Sequence, residues 1–90
     1  MMPETRERRA ELTRLALAES VRWRLTQQRL RQTVVARASG INRSFLRSIL
    51  KAEKGCSLFV FLELSQALGA DPGELLSDAL KRRELLRAPP

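Results

Sequence analysis

Apolar residues recur along the chain at helical spacing, and nowhere do they alternate with polar ones between turn signals as a half-buried strand requires. Tyrosine is absent and β-branched residues are few. The pattern predicts an all-α chain. A first helix is expected from about residue 5 or 8 to residue 28, with Leu17, Val21 and Leu25 at i, i+4 and i+8 as its inner stripe. Its opening turns (Glu4, Arg6, Glu7, Arg8, Arg9, Glu11) are too polar for a core and are expected to fray or form an arm, although the interleaved acids favour an ordinary solvated helix. A second helix is expected over 32–38, with Val34, Val35 and Ala36 as its apolar content, ended by Gly40 because glycine enters the left-handed region without steric cost. Asn42 is placed to cap a third helix over 43–52, in which Phe45, Leu46 and Ile49 repeat at helical spacing. Past the loop at Lys54 and Gly55, Ser57 caps a fourth helix that reaches Leu68 and closes at Gly69. Asp71, Pro72 and Glu74 have the acceptor, proline and carboxylate of a helix start, and this fifth helix is expected to run to about residue 86, stopped by Pro89 and Pro90.

Composition narrows the function. Ninety residues, 43% of them apolar, make one core rather than two. Histidine is absent, which removes the usual general base and the commonest metal ligand. The single cysteine, Cys56, makes neither an internal disulfide nor a Cys-rich zinc site, and a lone thiol is ordinary in a reducing cytoplasm. No metal site, phosphate loop or catalytic constellation is recognisable, so no enzyme and no cofactor are expected. The longest apolar run, Leu58 through Leu62, is five residues, far short of a membrane span, and a soluble cytoplasmic protein is expected.

Seventeen Lys and Arg against ten Asp and Glu leave a net charge of +7. Residues 1–54 carry 13 basic and 5 acidic side chains, net +8, and residues 55–90 carry 4 and 5, net −1. Between Arg22 and Lys54, nine cations face the single acid Glu53. Such a one-signed segment implies a polyanionic partner, the alternative being a solvated basic face without one.

That segment holds the spacing of a helix-turn-helix, residues 32–49. Ala36 is small where two helices would cross, Gly40 permits the turn, and Ile41, Leu46 and Ile49 would hold the second helix to the body. Its outward face is then Arg43, Ser44, Arg47, Ser48 and Lys51, long cations and hydroxyls without an acid, which suits a major groove.

With Gln32 and Ala36 in the second helix, Gly40-Ile41-Asn42 at the turn, and Ser57-Leu58, Leu62, Leu64, Ala67-Leu68-Gly69-Ala70-Asp71-Pro72 and Glu74-Leu75-Leu76 in register behind them, the chain resembles the lambda-repressor-like, or Xre-type, helix-turn-helix family over residues 17–76. The resemblance implies a five-helix all-α DNA-binding domain whose helix-turn-helix is formed by helices 2 and 3, flanked by a polar extension (1–10) and a C-terminal helix extension and tail (77–90). It further implies a nucleoid-associated regulator of transcription that binds double-stranded DNA, a repressor type included, on a palindromic operator as a homodimer. By position, Arg43, Ser44, Arg47 and Ser48 would face base edges. Gln32, Asn42, Lys51 and Lys54 would contact phosphates.

Three departures from the family pattern matter. Leu25 and Leu50 stand where members commonly carry an Arg and a Glu that pair internally, and their joint replacement predicts that these leucines touch, since replacing both partners avoids a stranded charge. Arg31 stands where a Ser or Thr cap is usual. A cation there is unfavourable at the positive end of the helix dipole unless a phosphate compensates it, so Arg31 joins the expected phosphate contacts. The fourth helix opens Leu58-Phe59-Val60-Phe61-Leu62, apolar all round: Leu58, Phe61, Leu62 and Leu64 match family core positions, leaving Phe59 and Val60 outside. These two, with Leu80, Leu85 and Leu86, are the expected dimer interface, unless the terminal helices fold back over them.

Two other classes compete. One is a protein-interaction module such as an antitoxin, engaging a protein partner through the fourth helix; the other is a basic amphipathic membrane-surface binder, opposed by the turn motif. Trp23 is expected in the core or at a packing edge rather than as a base-stacking platform, and Cys56 lacks any activating neighbour in sequence.

Overall fold

A helix leaves its first four amide hydrogens without internal partners, and four of the five helices here begin where a side-chain oxygen accepts one of them. In the computed structural model, which describes residues 4–87, Thr5 caps α1 (Arg6–Gln28) by accepting from the Arg8 amide at 3.0 Å. Asn42 caps α3 (Arg43–Leu50), accepting from Ser44 at 2.7 Å, and Ser57 caps α4 (Leu58–Ala67), accepting from Val60 at 3.1 Å. Asp71 accepts from the Glu74 amide at 3.0 Å at the start of α5 (Pro72–Arg87). The exception is α2 (Gln32–Ser39), whose cap residue is Arg31 and which has no side-chain acceptor. No strand occurs among the described residues.

The helix ends are closed by left-handed residues. Arg29 (φ 53°) ends α1 and Gly40 (φ 72°) ends α2, as expected of the glycine. The third helix stops at Leu50, two residues short of the expected Ala52, because Ala52 itself turns left-handed at φ 61°. Its amide then donates back to the Ile49 carbonyl at 3.0 Å and that of Glu53 to the Ser48 carbonyl at 2.9 Å, a closure that ordinarily recruits glycine and gives no sequence signal when alanine takes it. Residues 88–90, including the prolines expected to stop α5, and residues 1–3 of the polar extension lie outside the described residues.

The core draws on every helix: Val21 and Leu25 of α1, Val35 and Ala36 of α2, Leu46, Ile49 and Leu50 of α3, Leu64 of α4 and Leu75 of α5, with Leu68 at the end of α4. Full burial of each such leucine contributes about 2 kcal/mol relative to exposure. Leu17 packs half-buried against this cluster, while Ala16, the residue before it, and Leu12, about a turn earlier, are buried more deeply. Their burial follows from α5, which returns antiparallel along α1: Ser20, fully buried, donates to Asp78 Oδ2 at 2.8 Å, and Arg83 donates to Thr13 Oγ1 at 3.3 Å. The opening turns of α1 are therefore helical and tied down, neither frayed nor an arm. Arg8 pairs with Glu11 at 3.1 Å, and Glu4 accepts from Arg87 at the far end of α5.

In α4 the structure turns the expected face. Leu58 and Leu62 are exposed (72% and 45%), whereas Val60 and Phe61 pack against the core with Leu64. A run apolar on all sides carries no stripe, so its rotation is set by where Ser57 and the preceding loop start it. Trp23 is half-exposed, a packing edge and not core.

Candidate nucleic-acid interface

The helices α2 and α3 are joined by residues 40–42, short enough to hold the two at a fixed crossing. Ala36, only 3% exposed, lies in the core where a larger side chain would push the helices apart. Ile41 packs half-buried behind the turn, and its amide donates to the Ala36 carbonyl at 3.1 Å. On α3 the sequence divides the surface cleanly: Leu46, Ile49 and Leu50 are buried, Phe45 is half-buried, and Arg43, Ser44, Arg47 and Lys51 are exposed. The outward face carries cations and a hydroxyl, with no carboxylate before Glu53.

The individual side chains differ in what they have free. Among the described residues neither the Arg43 nor the Arg47 guanidinium has a hydrogen-bond or ion-pair partner, and each offers five donors outward. Ser48 is half-buried and its hydroxyl donates to the Ser44 carbonyl at 3.0 Å, so it has only acceptor capacity outward. Asn42 spends its carbonyl oxygen on the cap and retains its amide donors, the half that an anionic oxygen requires. Gln32, Arg31 and Lys54 are exposed. Arg31 and Gln32 stand at the uncapped end of α2, where free amides and the helix dipole favour an anion.

Three arginines not singled out in the sequence border this region. Arg29, at the left-handed end of α1, and Arg22 line with Gln32 and Leu50 a notch of about 420 Å³ between α1, α2 and α3. Arg22 donates to the Leu50 carbonyl, and Arg14 donates through Nε to the Ala52 carbonyl at 3.3 Å. No spacing rule announces a guanidinium aimed at a distant backbone carbonyl. Leu25 and Leu50 are both buried in one cluster and line that same notch, consistent with an apolar replacement of the family's ion pair.

A groove of about 310 Å³ runs between α1, α4 and α5, lined by Leu17, Cys56, Leu58, Phe61, Leu76 and Ala79 among others. Phe59, Leu76, Leu80 and Leu85 are exposed, Leu86 is half-buried, and Val60 packs against the core. Burial pushes the Cys56 thiol pKa up, which favours the thiol over the nucleophilic thiolate. Among the described residues no group of three or more His, Cys, Asp or Glu could hold a metal ion, and no helix is long and apolar enough to cross a membrane.

Residues 21–79 match the family model of the Cro/C1-type HTH DNA-binding domain. Among solved structures, the chain is similar to the clp gene regulator ClgR from C. glutamicum (23% identity over 77% of this chain and 90% of that one, TM-score 0.71). It is also similar to the restriction-modification controller protein C.AhdI from Aeromonas hydrophila (29% identity over 69% and 94%, TM-score 0.66). No curated protein sequence matches.

Proposed function

The chain belongs to the Cro/C1-type helix-turn-helix DNA-binding family, and on that premise we propose that it is a transcriptional regulator that reads a palindromic operator as a homodimer. The fold shared with a restriction-modification controller and a clp gene regulator supports the regulatory role. In this reading α2 and α3 are the helix-turn-helix and α3 enters the major groove. The observation that carries it is the acid-free, exposed face of Arg43, Ser44, Arg47 and Lys51, held in place by the buried Leu46, Ile49 and Leu50 of the same helix.

The division of labour follows from donor geometry. A guanidinium offers a forked pair that fits the O6 and N7 acceptors of guanine, a contact worth about 1–3 kcal/mol of discrimination. Arg43 and Arg47 are therefore the readers, with Ser44 and, by acceptance only, Ser48 beside them. Arg31, Gln32, Asn42, Lys51 and Lys54 hold phosphates, which supply affinity and register but no sequence information. Two copies joined through α4 and α5 would set two α3 helices about one helical turn of DNA apart. Of the expected interface residues, Phe59, Leu80 and Leu85 are exposed, Leu86 is half-buried and Val60 packs against the core; the exposed Leu58, Leu62 and Leu76 take its place in this reading.

Selection of bound sites from random duplexes, followed by titration of two variants, tests the reading. Arg43→Ala should relax preference at one base pair. Lys54→Ala should weaken every site alike and reduce the slope of log K against log salt by about 1. Equal effects of both variants on all sequences would refute it. Co-purification with an unlike chain seated on α4 would instead favour an antitoxin-like interaction module.

A further inference from the structure

A helix end needs partners for its last four carbonyls, and those of α3 can be followed one by one. The Arg47 carbonyl accepts from Lys51 at 3.0 Å, Ser48 from Glu53 at 2.9 Å and Ile49 from Ala52 at 3.0 Å. The fourth, that of Leu50, accepts from no nearby amide and takes the Arg22 guanidinium of α1 instead. Two residues on, the Ala52 carbonyl takes Arg14 of the same helix at 3.3 Å. Arg14 and Arg22 leave α1 at points about 12 Å apart along its axis and converge on one end of α3.

We propose that Arg22 and Arg14 are positioning residues which brace the C-terminal end of α3 and so set the angle at which its basic face is presented to DNA. The apolar contacts of Leu46, Ile49 and Leu50 cannot do this alone, because hydrophobic burial is non-directional and tolerates a helix that rolls or slides on its stripe. A guanidinium bonded to a carbonyl is directional and places a positive charge where the helix dipole is negative. Two such bonds, arriving from separated points, fix tilt as well as position. Reading bases requires that fixity more than holding phosphates does, since base edges must meet Arg43 and Arg47 within hydrogen-bonding distance. The brace thus sharpens sequence discrimination without touching the DNA, and it rests on the reading of α3 as the groove-entering helix.

The alternative role for Arg22, which lines the notch beside Arg29 and Gln32, is a direct phosphate contact. Arg22→Met and Arg14→Met keep most of each stem and remove the donors, and Arg22→Lys restores a charged donor. Affinity for a selected duplex and for a scrambled one is measured against salt for each. The brace predicts about a fivefold to tenfold loss on the selected duplex for Arg22→Met, the scrambled duplex and the salt slope unchanged, and partial recovery with Arg22→Lys. Equal losses on both duplexes, with the slope lowered by about 1, would make Arg22 a phosphate ligand and overturn the proposal. Residual dipolar couplings of the free protein supply a readout that needs no DNA: the α3–α1 angle should shift in Arg22→Met and Arg14→Met while circular dichroism stays helical. An unchanged angle in both variants would overturn the brace. A shifted angle in a protein that binds no duplex at all would support the brace and retire the DNA reading.

Discussion

Ser20 and Asp78 show how much a single polar pair can decide. Ser20 is fully buried on α1 and its only described partner is Asp78 on α5, which also accepts from Arg82 at 2.8 Å. Burial alone would raise the Asp78 pKa, but the hydrogen bonds from Arg82 and Ser20 hold it below the ordinary aspartate value. A carboxylate lowered in the folded state stabilises fully above its unfolded value near pH 4, and that stabilisation is lost as pH falls through the lowered folded value. Asp78→Asn should therefore flatten the loss of stability below about pH 4, measured by urea unfolding across pH 2–7. Ser20→Ala should cost about 1.5 kcal/mol at pH 7, since the hydroxyl bonds a charged acceptor, with an unchanged denaturant slope. Neither residue was visible as a pair in the sequence, because 58 positions separate them and only the antiparallel return of α5 brings them together.

At the scale of elements, caps and glycines were legible and the rotation of α4 was not. The Asn42, Ser57 and Asp71 caps and the Gly40 end are local chemistry, written within four residues of the bond they make. The end of α3 escaped because Ala52 takes a left-handed conformation that alanine usually avoids. Ala52→Gly should relieve that cost and stabilise the protein by about 0.5–1 kcal/mol, seen as a higher urea midpoint. DNA affinity should hold, because the carbonyl that accepts from Arg14 is backbone. For α4, the corrected face makes a sharp contrast: Leu64→Ala should cost about 3 kcal/mol, and Leu58→Ala less than about 0.5 kcal/mol in dilute protein. Equal costs would mean the helix is turned as the apolar pattern first implied.

The whole molecule carries two surfaces of different chemistry. The exposed face of α3 and the uncapped start of α2 carry cations, whereas the groove between α1, α4 and α5 is lined largely by apolar side chains. If two copies join through this apolar surface, sedimentation at tens of micromolar should give a dimer, and Leu80→Glu or Phe59→Glu should give a folded monomer, since each places a charge at an exposed apolar position. A monomeric wild-type chain would remove the dimer and leave the fold and the basic face intact.

The order of the helices, their capped starts, the helix-turn-helix spacing and the basic face of α3 were all determined by the sequence alone, because each depends on neighbours within a turn or two. What only the tertiary structure decided depends on contacts between distant segments. These are which side of α4 faces inward, how α5 buries the first half of α1, and which arginines reach the carbonyls at the end of α3. Periodicity can say that a helix has a face, but a face with no polar side, or a donor whose acceptor lies 28 positions away, acquires its meaning only when the chain has packed.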